Sequence, residues 1–151
     1  YDEDYEKASL GALAVNANNS KVITKLQRDL LVEIGLNLNK EKQFVEAEKV
    51  FLAVIQRNPD AAPAYLGLGR SLLEQGKPQD ALLSLENSLR INATAGVHYR
   101  LGQTWQALGD EKKAVAFYEQ ALAFTPALSA KARDDADAQL KTLKPSGFGT
   151  K

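Results

Sequence analysis

The sequence contains no cysteine and no methionine among its 151 residues. Without cysteine, disulfides, thiolate metal sites and cysteine nucleophiles are excluded. Lysine plus arginine and aspartate plus glutamate each number 19, so the net charge is zero. No basic excess therefore favours a nucleic acid or an anionic membrane as partner. No apolar run approaches the ~18 residues of a transmembrane helix.

Motifs that carry chemistry are also scarce. The single histidine, His98, occupies a helix-packing position, and no cluster has the spacing of a metal site. Asp134, Asp135 and Asp137 lack the glycine and the distal glutamate of a calcium loop. No glycine-rich loop follows a strand, so phosphate binding has no support. We therefore expect a protein that is not an enzyme, with no catalytic residue, metal, cofactor or small-molecule substrate.

Three glycines, Gly35, Gly69 and Gly102, recur at intervals of 34 and 33 residues. A glycine inside a helix costs about 1 kcal/mol relative to alanine, so three at one phase indicate that a second helix crosses closely there. Each glycine is followed by a small residue and then by a large one: Ala47 and Phe51, Ala81 and Leu85, Ala114 and Tyr118. A period of this length with two helical stretches per unit predicts stacked helical hairpins.

The repeats divide the chain into segments. Residues 1–27 are an N-terminal helical segment, in which residues 5–17 allow a degenerate half-repeat and Ser20 is a candidate cap for a helix from Lys21. The remaining segments are three repeats at 28–61, 62–94 and 95–128, a capping helix at 129–143 and a flexible tail at 144–151. The second repeat is one residue short, between Asn92 and Thr94.

The pattern resembles the tetratricopeptide repeat (TPR). The resemblance is greatest in the third unit: Leu101-Gly102, Trp105, Gly109, Ala114, Tyr118, Ala121-Leu122 and Pro126. His98 departs from the usual aromatic residue, and Lys42 departs from the usual glycine of the first unit. The resemblance implies an all-α solenoid of three TPR hairpins plus the capping helix, with protein binding as its function.

In TPR proteins the first helices of the hairpins line a concave groove. The resemblance carries nine groove positions onto this chain: Val32, Leu36, Asn39, Leu66, Arg70, Leu73, Tyr99, Gln103 and Gln106. Several are apolar although they lie outside the packing columns, which favours an apolar peptide or helix as ligand. We expect Leu66→Asp with Leu73→Asp to abolish binding without lowering the melting temperature. The alternative is that the chain's own N-terminal segment or tail covers this strip.

One TPR subfamily holds a C-terminal carboxylate with a clamp of basic residues and asparagine. The matching positions here are Val32, Leu36, Gly67, Gly96 and Arg100. Only Arg100 has a side chain that fits the clamp, so that subfamily is disfavoured.

Among small bacterial TPR proteins, the chain looks like exported lipoproteins that assemble pili or secretion systems, such as TadD-like proteins and pilotins. That likeness implies a secretin or another assembly component as partner, a lipid anchor upstream of Tyr1, and a periplasmic, outer-membrane-associated location. The alternatives are a cytoplasmic TPR chaperone for secreted cargo and a TPR scaffold domain of a larger protein. A signal peptide ending in a lipid-bearing cysteine would favour the first.

Overall fold

The computed structural model describes residues 24–124 and 126–144 of the chain. This part of the chain forms seven α-helices and no strand, which confirms the all-α prediction. In chain order they are α1 (Lys25–Lys40), α2 (Phe44–Arg57), α3 (Ala62–Glu74), α4 (Pro78–Ile91), α5 (Ala95–Ala107), α6 (Glu111–Ala123) and α7 (Ala130–Leu143). Consecutive helices pack on each other, and the first helices of successive hairpins, α1, α3 and α5, also contact one another.

The predicted segment at residues 5–17, its candidate cap Ser20 and the tail from residue 145 lie outside the described residues. Within the described residues, no helix combines the length and the apolar character needed to cross a membrane.

Helix α1 begins later than the sequence indicated. The Thr24 hydroxyl accepts a hydrogen bond from the Gln27 backbone N–H at 3.2 Å, and the Gln27 side chain accepts one from the Thr24 N–H at 2.9 Å. This reciprocal cap satisfies two N–H groups that a helix terminus leaves without partners. The backbone of Thr24 is extended, with φ −66° and ψ 160°, so the helix starts at Lys25. The predicted start at Lys21 is therefore wrong.

The turns inside the three hairpins share one backbone conformation. Gly76 and Gly109 have φ of 75° and 86°, and Lys42 takes the same left-handed conformation with φ 62°. For a residue with a Cβ this conformation is unfavourable by about 1–2 kcal/mol. The first unit therefore has the same turn conformation as the other two, although Lys42 replaces the glycine of the TPR pattern.

Each repeated glycine lies directly under the large residue of its own hairpin. A Cβ built on Gly35 would lie 2.6 Å from the ring of Phe51, and one on Gly102 would lie 2.7 Å from the ring of Tyr118. Both rings are fully buried, so they have little room to move. The sequence had placed the repeated alanines at this crossing and the large residues beside it. In the structure the large residue itself covers the glycine and leaves no room for a Cβ there.

Phe51 also joins the first hairpin to the second. Its ring lies over Gly67 of α3, even closer than over Gly35 of α1. The apolar core continues along the solenoid, and α7 closes its last part by burying Ala136 and Leu143 against Tyr99 and Tyr118. Stacking of this kind gives each hairpin a neighbour that covers its apolar face.

Candidate partner-binding groove

The faces of α1, α3 and α5 form a groove with two cavities along it. The N-terminal cavity has a volume of about 480 Å³ and includes Val32 and Leu36 in its wall. The central cavity, of about 370 Å³, is lined by Leu36, Leu66, Arg70 and Tyr99. Leu36 borders both cavities, and 38% of its surface is exposed. The two cavities therefore form one continuous groove with an exposed leucine at their junction.

Three further groove positions lie beyond the central cavity. Leu73, Gln103 and Gln106 line a more polar hollow of about 420 Å³, which they share with Asp135 and Gln139 of α7. Eight of the nine predicted positions thus line the groove or this hollow. That they bind a partner stays a prediction.

Asn39 is the exception. Its side chain is fully buried, where its Nδ2 donates to the Gly67 carbonyl at 3.1 Å and its Oδ1 accepts from the Ser71 hydroxyl at 2.8 Å. Because a buried amide must satisfy its hydrogen bonds inside the protein, Asn39 links α1 to α3 and has no polar group left for a ligand. Its assignment to the binding surface was wrong.

The α5 end of the groove is covered by the capping helix. The Tyr99 hydroxyl donates to Asp135 at 2.5 Å, and Gln106 Nε2 donates to Gln139 Oε1 at 2.9 Å. The Tyr118 hydroxyl donates to Gln106 Oε1 at 2.8 Å. These bonds occupy the polar groups of Tyr99 and Gln106, two of the predicted groove residues. The element that covers this end is the capping helix α7. The alternative that the N-terminal segment or the tail covers the groove stays a prediction, because both lie outside the described residues.

This hydrogen-bonded end perturbs two tyrosines. Burial, the hydrogen bond to Asp135 and the negative charge of that carboxylate raise the pKa of Tyr99 to about 12. Burial and the same charge also raise the pKa of Tyr118. Both phenols are therefore neutral near pH 7 and act as hydrogen-bond donors.

Leu66 and Leu73 are only partly exposed, because each also packs against an apolar cluster. Leu66 contacts the cluster around Leu85 and Leu101, and Leu73 contacts the cluster around Phe51. An aspartate at either position would remove core contacts as well as groove surface. The expectation that the double aspartate variant melts normally is therefore withdrawn, and Leu36 is the better position for testing binding.

Arg70 and Arg100 bring positive charge into the central cavity. Arg100 Nη1 donates to Gln103 Oε1 at 2.8 Å, and its guanidinium lies 5.1 Å from the centre of the Tyr99 ring. Burial lowers the pKa of Arg100, and the positive charge of Arg70 lowers it further. The cavity therefore combines apolar walls with two cationic hydrogen-bond donors.

Two features of this groove were missed by sequence reasoning. Asp135 was considered from the sequence as part of a calcium loop, but it is half-buried and bonded to Tyr99. Each of Asp135 and Gln139 directly precedes an apolar residue that packs in the core, Ala136 and Leu140, and that adjacency was the available signal. Arg100 was considered only as part of a carboxylate clamp, and its proximity to Arg70 depends on how α5 packs against α3.

His98 occupies a packing position, as the sequence indicated. Its ring centre lies 5.0 Å from that of Phe124, and its Nδ1 is 2.7 Å from the Thr94 carbonyl oxygen. Among the described residues, no group of three or more His, Asp or Glu side chains could hold a metal ion.

The comparisons with known proteins identify the family. Two family models, both described as tetratricopeptide repeat, match residues 38–96 and 95–128. Together with the stacked hairpins, these matches show that the chain belongs to the tetratricopeptide repeat family, as the sequence predicted. No protein of curated function matches the sequence.

Several solved structures share the fold. PcrH in complex with the chaperone binding region of PopD has 22% identity and a TM-score of 0.70, over 80% of this chain and 93% of that one. A T3SS complex from Aeromonas hydrophila has 20% identity and a TM-score of 0.71, over 94% and 96% of the two chains. The TPR domain of Arabidopsis OM64 has 23% identity and a TM-score of 0.66, over 76% and 94%.

Proposed function

We propose that this TPR protein is a non-enzymatic binding module whose groove holds an apolar segment of another protein. The observation that carries the proposal is Leu36, a half-exposed leucine where the two groove cavities meet. Leu66, which is partly exposed, extends the apolar surface over α3, and Val32, although buried in the core, contributes to the cavity wall on the other side of Leu36. A continuous strip of this kind suits the apolar side chains of an amphipathic helix or an extended peptide.

The role that we propose is that of a chaperone, which keeps an apolar segment of a client protein covered until it is used. PcrH, whose fold this chain shares, was crystallised with the chaperone binding region of PopD. The CopN–Scc3 complex, with 16% identity and a TM-score of 0.63, is a second similar structure that contains two different proteins. These likenesses support the proposal through the fold alone.

The roles of pilotin for a secretin and of scaffold domain in a larger protein stay predictions. Location follows the role: a chaperone of this kind would be cytoplasmic, and a pilotin would be periplasmic and held at the outer membrane by a lipid. The gene sequence upstream of the codon for Tyr1 distinguishes these roles, because only the pilotin requires a signal peptide with a lipid-bearing cysteine.

The test of the groove compares two leucines of similar exposure. Leu36 lies in the groove, and Leu52 lies outside its cavities, on the second helix of the same hairpin; they are 38% and 49% exposed. Peptides are selected on the wild-type protein by phage display, and their affinities for Leu36→Asp and Leu52→Asp are measured by fluorescence anisotropy. Because a buried charge opposes apolar contact, we expect Leu36→Asp to weaken binding by roughly tenfold or more and Leu52→Asp by less than about twofold.

Circular dichroism shows whether both variants stay folded, as their exposure predicts. Equal losses in the two variants, or selected peptides that bind Leu36→Asp normally, would place the binding surface elsewhere and refute the proposal.

A further inference from the structure

The two ends of the solenoid differ in the residues that they expose. At the C-terminal end, the exposed residues of α7 are charged or small, among them Lys131, Asp134 and Lys141. At the N-terminal end, α1 exposes Leu26 and Leu30 on one face, at 78% and 45% of their surface. The outer face of a terminal repeat is normally polar, because no further repeat covers it. The two leucines therefore indicate that another element packs against this end of α1.

Leu30 occupies a repeat position that the other two hairpins bury. Counted from the repeated glycines, its equivalents are Ala64 of α3 and Val97 of α5. Ala64 is fully buried in the apolar cluster that contains Phe51, and Val97 is buried in the cluster that contains Leu85. In both cases the covering residue comes from the second helix of the preceding hairpin. No helix precedes α1 among the described residues, so Leu30 remains half-exposed.

Residues 5–17, which lie outside the described residues, have the apolar pattern of such a second helix. Their apolar residues have the same spacing as four residues of α2: Tyr5, Ala8, Ala12 and Val15 match Phe44, Ala47, Phe51 and Val54. The last three of the α2 residues are fully buried. Residues 18–24 connect this segment to α1, whereas the shorter stretch 58–61 is sufficient between α2 and α3. The connection is therefore long enough for an equivalent placement.

The sizes of the residues at the two positions also match. The large Phe51 shares its cluster with the small Ala64. Before α1 the order of sizes is reversed, because Ala12 has the position of Phe51 and Leu30 has that of Ala64. Protein interiors are close-packed, so a small residue on one helix leaves room for a large residue on the other. Ala12 and Leu30 are complementary in this sense.

We propose that residues 5–17 form a helix that packs on Leu26 and Leu30, in the place that α2 occupies against α3, with Ala12 opposite Leu30. The chain then caps the N-terminal end of its own solenoid, and Leu36 stays open in the groove. This contact lies outside the groove, so it does not depend on whether the groove binds a partner.

The test measures amide hydrogen exchange of residues 5–17 by NMR in the 15N-labelled full chain. A helix held against α1 exchanges its amide protons more slowly than a free segment does. In the wild type we expect exchange to be slowed by roughly tenfold or more relative to an unstructured peptide. In Leu30→Asp we expect this protection to be lost, because a charge opposes burial in an apolar contact.

Two leucines of similar exposure provide matched controls, Leu36 in the groove at 38% and Leu52 on α2 at 49%. Leu36→Asp and Leu52→Asp should leave the protection of residues 5–17 unchanged. Unprotected amides in the wild type overturn the proposal, as does loss of protection in either control; loss in Leu36→Asp would place the segment in the groove. Protection that disappears on dilution also overturns it, because a second copy of the chain would then cover Leu30.

A disulfide test remains decisive even if Leu30→Asp unfolds, because the chain contains no cysteine of its own. Cysteine behaves as a small apolar residue, so Ala12→Cys with Leu30→Cys keeps the proposed contact apolar. We expect this pair to form an intramolecular disulfide at least roughly tenfold faster than Ala12→Cys with Leu36→Cys, because contact raises the effective concentration of the two thiols. Non-reducing electrophoresis and intact mass follow both reactions. Equal rates, or disulfide-linked dimers as the main product, contradict the proposal.

Discussion

The two ends of the groove use equivalent repeat positions, yet they differ in what covers them. Val32 of α1 and Tyr99 of α5 occupy the same repeat position, as do Leu36 and Gln103. Leu36 is exposed in the groove, whereas the equivalent Gln103 is only partly exposed and bonds to Tyr99 and Arg100. Val32 and Tyr99 are both buried, but Tyr99 is bonded to Asp135 of the capping helix. A repeat position therefore fixes the direction in which a side chain points, and its neighbours decide whether a ligand can reach it.

The same lesson holds at another repeat position. Asn39, Leu73 and Gln106 are equivalent in the three repeats. Asn39 is buried in hydrogen bonds to α3, Leu73 packs on the first core cluster, and Gln106 bonds to α7 and to Tyr118. The three equivalent residues therefore make three different kinds of contact, because a different element packs against each repeat.

The largest expected effect separates two glycines in the wall of the central cavity. A Cβ on Gly67 would collide with the buried ring of Phe51, whereas one on Gly96 would lie 3.5 Å from Leu66, an ordinary contact. We expect Gly67→Ala to lower the free energy of unfolding by about 1–3 kcal/mol through overpacking. Gly96→Ala should be neutral or raise it by up to about 1 kcal/mol. Urea denaturation measures both, and equal effects would mean that packing beneath the groove does not distinguish these positions.

A smaller effect tests the covered end. Asp135→Ala leaves the Tyr99 hydroxyl and Gln139 without their shared acceptor, and we expect it to destabilise the fold by about 1 kcal/mol. Asp134→Ala is the matched control, because this exposed neighbour gains the same helix propensity and should change stability by less than about 0.5 kcal/mol. If thermal or urea unfolding shows no difference between them, the capping helix does not depend on this contact.

The last expected effect is a pH dependence at the same end, which appears only in alkaline solution. An unfolded tyrosine loses its proton near pH 10, whereas the folded-state pKa of Tyr99 is about 12. Since the folded pKa is raised, the contribution of Tyr99 to stability is complete below about pH 10 and is lost as the pH rises towards 12. The urea midpoint should therefore fall over this range less steeply in Tyr99→Phe than in the wild type. Parallel curves for the two proteins would contradict the shift.

Much of the fold could be predicted because its signals are local and repeated. Gly35, Gly69 and Gly102 identify the crossing of each hairpin, and the contact that excludes their side chains lies only 16 residues away in each case. The start of α1 was harder to predict from the sequence. The cap at Thr24 depends on a single hydrogen-bonded pair with Gln27, and the apolar pattern alone does not reveal it.

The groove could be predicted only in outline. The resemblance to TPR proteins indicated which positions face it, and Leu36, Leu66 and Arg70 line the central cavity. The burial of Asn39, the role of Asp135 and the proximity of Arg70 to Arg100 depend on contacts between different repeats. Such contacts follow from how the helices pack, and no local pattern in one helix contains that information.

By itself the sequence determined the repeat, the all-α hairpins and the face of each hairpin that packs, because periodicity and glycine placement act within one unit. Only the tertiary structure decided which part of the remaining face stays open. Stacking of the units places Phe51 over Gly67. It also forms the hydrogen bonds from Ser71 to Asn39 and from Tyr99 to Asp135. The physical reason is that each of these contacts joins two units, and exposure depends on the neighbour as much as on the residue.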